Sequence, residues 1–125
     1  MKFLCLICAE VMMEGMSKLE ADKHYQEYAE FTNDIRKNGN FIGANRLKPA
    51  NTATTLRVRN GKVSIIDGPF AETKEQLGGY YLIEAKNMDE AIQIASKIPG
   101  AKFGCVEIRP VADDPQTLAL ELDRR

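Results

Sequence analysis

The 125 residues contain no tryptophan, one histidine and three cysteines, and no run of one charge sign reaches five or six residues. Each shortage closes off a class of function. Seventeen basic residues against eighteen acidic ones leave a net charge of −1, with no basic block to follow a nucleic-acid backbone and no polybasic patch for an anionic membrane. Neither nucleic acid nor a membrane is expected as a partner. No apolar run approaches the roughly 20 residues a helix needs to cross a bilayer. The opening MKFLCLICAEVMMEG imitates a secretory leader, but the run is short, no small-x-small cleavage site follows, and Glu10 and Glu14 arrive early. It reads as part of a mature, cytoplasmic chain.

Cys5, Cys8 and Cys105 cannot all pair within one chain, which argues against a secreted disulfide scaffold. Cys5 and Cys8 have C-x-x-C spacing, yet residues three apart in a strand face opposite sides, so their sulfurs diverge. They read as small buried hydrophobes. His24 has no second histidine beside it, and with Cys5 and Cys8 on a different element no tetrahedral metal set assembles. Gly78-Gly79 leads into a strand rather than a helix, so it is not a phosphate loop. No metal and no cofactor are expected.

What is present is a clear alternation of elements. Residues 2–8, KFLCLIC, are apolar on both alternating faces, the pattern of a central strand covered on both sides. Ser17-Lys18-Leu19-Glu20 is a capping box. It opens a helix whose apolar stripe is read as Ala21, Tyr25, Tyr28, Thr32 and Ile35, with His24 beside it on a row with Tyr28, Phe31 and Ile35. Asn38-Gly39 closes that helix, and an extended segment follows over 41–47. Segments 54–59 and 62–66 flank Asn60-Gly61, a strong signal for a type I′ hairpin. A strand over 79–84 comes next. Asn87 then caps a helix whose stripe is read as Met88, Ala91, Ile92, Ala95 and Ile98, and Pro99-Gly100 ends it. The last strand is read over 103–110, and the tail as a short helix through Leu118, Leu120 and Leu122 or a frayed end.

The order is β-α-β-β-α-β with an inserted β-hairpin. This predicts an α+β fold, the ferredoxin-like split βαβ, as one domain over 1–111 with a tail over 112–125. Both helices of such a fold cover one sheet face, so the second apolar face of the first strand needs a cover of its own. A second copy packed sheet to sheet is the expected one, making a homodimer with a cleft at its interface.

The segment TATTLRVRNGKVSIIDGPFAETKEQLGGYYLIEA, residues 52–85, followed by Asp89-Glu90-Ala91 and Val106-Glu107-Ile108-Arg109-Pro110, resembles the DGPF subgroup of the YCII-related family. The resemblance implies a dimeric α/β barrel and leaves activity open, because one fold hosts many chemistries. Some members are thought to use a His and an Asp at the dimer cleft as an acid/base pair, and one acts as a dehydrochlorinase on a chlorinated aromatic ring. The family's His falls near Tyr28 here, one turn after His24, and its Asp falls at Ile98, before Pro99. A carboxylate would then have to come from elsewhere.

Asp67 is the candidate. It ends an apolar strand before Gly68-Pro69, where Pro69 removes the nearest backbone donor, so its carboxylate either bonds back to Phe70 or Ala71 N–H or serves as a general base. His24 is the candidate proton-transfer partner, because imidazole titrates near neutral pH; its bland alternative is a partly exposed helix-flank residue. Residues 71–77 read as a solvated helical turn or as a lid carrying Glu72 and Lys74. Tyr80, Tyr81, Glu84, Glu107 and Arg109 alternate on two strands, so Arg57, Tyr81 and Arg109 either bind a small-molecule ligand or, with Glu107, form structural pairs. Two functions stay open: a cofactor-independent enzyme moving protons on a cyclic small molecule through Asp67 and His24, and a non-catalytic ligand-binding or regulatory module associated with alternative sigma factors, as the resemblance suggests.

Overall fold

Strand β1, Lys2–Ala9, is flanked on both sides by antiparallel partners in the computed structural model, which describes residues 1–10 and 15–123. After it come α1 (Lys18–Lys37), β2 (Phe41–Arg46), β3 (Thr54–Arg59), β4 (Lys62–Asp67), β5 (Gln76–Glu84), α2 (Met88–Ala95), β6 (Gly104–Pro110) and α3 (Pro115–Asp123). The main sheet has the order β2-β5-β1-β6, and β3 pairs with β4 in a separate two-stranded sheet. With that hairpin set aside, each helix links two parallel strands separated by one antiparallel neighbour. This is the ferredoxin-like arrangement. Among the described residues no helix is long and apolar enough to cross a membrane. Glu14, read above against a secretory leader, lies outside the described residues.

Register explains the core. Phe3 lies opposite Ile83, and Cys5 lies between Tyr81 and Ile108, so one row crosses three strands. Phe3, Cys5 and Ile83 are buried under Phe31 and Ile35 of α1, Ala91 and Ala95 of α2, and Ile98. The alternate row of β1, Leu4, Leu6 and Cys8, stays half-buried on the face away from this cluster. Both rows are apolar, as expected for β1, but only one is covered within the chain.

Local signals produced their elements. Ser17 Oγ accepts from Glu20 N–H and the Glu20 side chain returns to the Ser17 backbone, so the capping box forms as read. Asn87 Oδ1 accepts from Glu90 N–H at 2.9 Å and opens α2. Asn60 and Gly61 have φ of 53° and 76°, the positive pair a type I′ turn requires. Asp114 caps α3 through Thr117 N–H at 3.1 Å.

Three expectations need correction. Residues 71–77 form no helix: Thr73 Oγ1 donates to Glu75 C=O at 2.6 Å, so the hydroxyl caps no N–H, and β5 already begins at Gln76. The α1 stripe sits one position round from the one read. Its buried residues are His24, Phe31 and Ile35 with Tyr28 packed beside them, a 4-3-4 spacing, while Tyr25 is half exposed. In α2 the helix stops at Ala95, before a 3-10 turn at Pro99–Lys102, and Ile92 faces outward while Ile94 packs inward.

Ile83 has no solvent exposure and joins β1, β2 and β5 through its register partners Phe3 and Phe41. Ile83→Ala is expected to lower unfolding stability by about 2–5 kcal/mol, lost transfer energy plus a cavity. Ser17→Ala should cost about 1 kcal/mol through the lost cap. Urea denaturation midpoints at constant m-value check both.

Candidate functional site

A cavity of about 260 Å³ opens between the first half of α1 and one end of the sheet. Its floor follows from register. Ile7 on β1, Gly79 on β5 and Arg46 on β2 lie side by side. Gly79 has no side chain to fill the space between them, and a Cβ there would come within 2.9 Å of Asn45 C=O. The roof is aromatic: His24, Tyr25 and Tyr28 from α1, with Phe103 at the approach to β6. The cavity is walled by one chain on the helix side of the sheet, whereas the cleft expected from sequence lay between two sheets.

His24 is only 9% exposed. Its ring meets Tyr28 edge-on at 4.9 Å and Phe103 at 5.4 Å between centroids. Burial holds its pKa below the ordinary 6.5, with Glu27 pulling it up and Lys102 pushing it down. Glu27 and Lys102 are themselves paired at 2.8 Å. No described buried side-chain nitrogen or oxygen lacks a partner, and His24 makes no hydrogen bond. Its ring nitrogens are therefore not fully buried, and the residue lines the cavity.

Tyr28 is held from the opposite side. Its Oη accepts from Gly100 N–H at 3.1 Å, and a Cβ at residue 100 would lie 2.6 Å from that oxygen, so a larger residue there would have to push the Tyr28 side chain aside. Burial pushes Tyr28 up to about 12, so it stays a neutral phenol. The N–H occupies an acceptor lone pair and leaves the hydroxyl proton for another acceptor. Tyr81, stacked parallel to Tyr28 at 6.2 Å, shares a 2.7 Å hydrogen bond with Thr32 Oγ1. At the mouth, the Arg46 guanidinium lies 5.8 Å from the centre of the Tyr25 ring, within cation–π range.

A family model for the YCII-related domain matches residues 1–114. The chain belongs to the YCII-related family. It is 36% identical over 105 residues to the uncharacterized protein R00369 of Rhizobium meliloti (strain 1021), a match covering 82% of this chain and 85% of the relative. Among solved structures, 5-chloro-2-hydroxyhydroquinone dehydrochlorinase (TftG) from Burkholderia phenoliruptrix AC1100, in complex with 2,5-dihydroxybenzoquinone, is similar at a TM-score of 0.50 and 13% identity. The match covers 93% of this chain and 98% of that one. At that identity the likeness shows a shared fold.

Of the two positions at which the sequence resemblance set the YCII-related acid/base pair, Tyr28 lines this cavity, while Ile98 is buried in the core and does not line it. Of the residues singled out from sequence, His24 and Tyr81 line the cavity together. Asp67 does not line it. It is exposed at the base of the hairpin opposite Thr54, and its carboxylate makes no hydrogen bond among the described residues. The turn is held by backbone instead, with Gly68 N–H donating to Ala53 C=O at 2.7 Å and Thr55 Oγ1 to Gly68 C=O at 2.8 Å. Arg57 is half-buried on the hairpin, and Glu72 and Lys74 are exposed beyond it. Arg109 pairs along its own strand with Glu107 at 2.5 Å, both exposed, which is the structural pairing considered above.

Sequence reading passed over Tyr28, Arg46, Phe103 and Gly100 as site residues. Only the 4-residue step from His24 to Tyr28 was legible. Among the described residues no group of three or more His, Cys, Asp or Glu side chains is placed to hold a metal.

A histidine whose folded pKa is depressed below 6.5 binds fewer protons folded than unfolded in that window. It contributes stability above pH 6.5 that is lost as pH falls through the folded value. Because His24 is the sole histidine, its imidazole Cε1–H resonance reports it without assignment. The NMR titration midpoint is expected below 6.5, and His24→Gln should flatten this part of the stability–pH curve. A midpoint above 6.5 would contradict the desolvated setting.

Proposed function

We propose that the protein is a small-molecule enzyme of the DGPF subgroup that moves protons on a cyclic, oxygen-bearing substrate in the cavity beneath α1, with His24 as the base. The observation that carries this reading is a buried imidazole, its pKa lowered by burial, in the wall of an aromatic-lined cavity. A buried base near neutrality is what proton abstraction at ordinary pH requires.

The neighbours fit the same chemistry. As His24 takes a proton from carbon or oxygen of the substrate, negative charge grows on a conjugated oxygen, and the Tyr28 hydroxyl can donate to it. A phenol with a pKa of about 12 is a hydrogen-bond donor that keeps its proton. Arg46 at the mouth favours a substrate that carries or acquires a negative oxygen. The flat rings of Tyr28 and Tyr81 suit a planar ring. Asp67 stands outside this cavity, and this reading gives the proton chemistry to His24.

The reading includes a homodimer. Leu4, Leu6 and Leu82 lie half-buried on the face away from the helices, and the hairpin presents Leu56, Val58, Val63 and Ile65, each more than half exposed, on one face. Monomers rarely leave apolar patches of more than a few hundred Å² bare, and a stable pair needs roughly 800 Å² per partner. Sedimentation velocity at micromolar concentration is expected to give a dimer, and Leu6→Glu a folded monomer. A wild-type monomer would remove the dimer from the reading.

The probe for catalysis is 2,5-dihydroxybenzoquinone, a planar ring whose two vinylic C–H carbons exchange hydrogen by protonation to the keto tautomer and return of a proton from that CH₂ to a base. Wild-type protein in D₂O is expected to accelerate exchange of its ring protons, followed by NMR. His24→Gln should lower that rate on the order of 100-fold or more, while Asp67→Asn leaves it unchanged. Exchange as fast in His24→Gln as in wild type would refute His24 as the base. A shift of the His24 resonance without exchange would favour the non-catalytic ligand-binding module.

A further inference from the structure

Cys8 and Cys105 lie directly opposite each other on β1 and β6, all three cysteines are free thiols, and Cys105 is exposed. We infer that Cys8 and Cys105 form an oxidisable dithiol, a modification site that peroxide converts to a disulfide across the strands. Three independent features support it.

The first is spacing. Directly opposed residues of antiparallel strands have Cα atoms about 4.5–5.5 Å apart, inside the 4.4–6.8 Å range that a disulfide spans. The second is a glycine beside the pair. A Cβ at Gly104 would fall 2.0 Å from Cys8 C=O and 2.7 Å from Ala9 Cα, so β6 can press against β1 here only because residue 104 has no side chain. The third is access: Cys105 is exposed while Cys8 is half-buried opposite it, so an oxidant reaches one thiol and the other lies next to it. Cys5, by contrast, is sealed in the core on the other face, where burial pushes its thiol up to about 11. It takes no part.

The chemistry balances with hydrogen peroxide as the oxidant. Solvent takes the Cys105 proton, and the thiolate attacks one peroxide oxygen. The S–O bond forms, the O–O bond breaks, and the departing hydroxide takes that proton as water, leaving Cys105 as a sulfenic acid. Cys8 sulfur then attacks Cys105 sulfur. The S–S bond forms, the S–O bond breaks, and hydroxide leaves with the Cys8 proton as a second water. Two thiols are oxidised and one peroxide is reduced.

Desolvation and the Glu75 carboxylate hold Cys105 above the ordinary thiol value, and Cys8 is raised by burial, Cys105 and the nearby carboxylates. The dithiol is therefore slow at neutral pH and quickens as pH rises. Its place gives the bond a consequence. Cys8 sits between the cavity residues Ile7 and Ala9, and Phe103 lies two residues before Cys105. The disulfide would tie two walls of the cavity together.

The test treats the whole reduced chain with hydrogen peroxide, alkylates it unfolded, and maps peptides by mass spectrometry. The expected product is an intramolecular Cys8–Cys105 link, with one alkylated cysteine, Cys5, in place of the three in the sequence. Its rate should rise with pH and rise several-fold in Glu75→Gln; Cys8→Ser and Cys105→Ser, folded by circular dichroism, should give none. A link between two chains, a link through Cys5, or Cys105 oxidised to sulfinic acid with Cys8 still reduced would each overturn the inference. Because no substrate is involved, the outcome is independent of the reading of His24; run on Leu6→Glu as well, in which the sheet face carrying Cys8 is uncovered, it is also independent of the proposed dimer.

Discussion

Strand β1 is apolar on both faces, and one antiparallel register with β5 and β6 decides where everything else falls. The row Phe3, Cys5, Ile7 must lie under the helices, and that puts Ile83, Tyr81 and Gly79 in the same row on β5. The row fills with Phe and Ile at one end and empties at Gly79 at the other. A close-packed interior leaves space only where side chains are missing, so the cavity opens at the glycine end. A one-residue slip of β5 would put Gly78, Tyr80 and Leu82 in the row in place of Gly79, Tyr81 and Ile83 and turn Tyr81 away from its Thr32 hydrogen bond.

The hairpin follows a different rule. A two-stranded sheet is marginal in water by itself, yet β3 and β4 pair over six residues each with an exposed aliphatic face. Its base is tied to the chain before it by the Gly68–Ala53 and Thr55–Gly68 hydrogen bonds. This fixes Asp67 by backbone contacts that leave its carboxylate to solvent. The conspicuous Asp-Gly-Pro-Phe turn thus anchors an arm, and the buried imidazole belongs to a helix more than forty residues earlier in the sequence.

Much of the fold was legible because its signals are local. The Ser17 box, the Asn60-Gly61 turn and the Asn87 cap each act within four residues, and each placed its element. The strand order followed from them through the ferredoxin-like pattern. Where reading failed, the deciding contact was distant or the local signal was weak. Thr73 could have capped a helical turn, but its hydroxyl donates to a carbonyl. The α1 stripe was misplaced by one position because Tyr25 and His24 are equally plausible neighbours of Tyr28 on a helix. Only the sheet beneath chooses between them. The site was half legible: His24 and Tyr81 were named, but Tyr28 gains its role from a backbone N–H 72 residues away, and no pattern within α1 encodes Gly100.

In the proposed reading, burial of His24 does two things at once, and together they suit reversible proton transfer better than simple trapping of a charge. Desolvation disfavours the imidazolium, so the neutral base is available at pH 7. The same desolvation makes the protonated form ready to return its proton. Glu27 moderates this without cancelling it, because its carboxylate is already paired with Lys102, and the two act on His24 with opposite sign. An unpaired carboxylate in that place would hold the imidazolium and stall the return. With its carboxylate paired, Glu27 leaves burial as the larger influence on the imidazole.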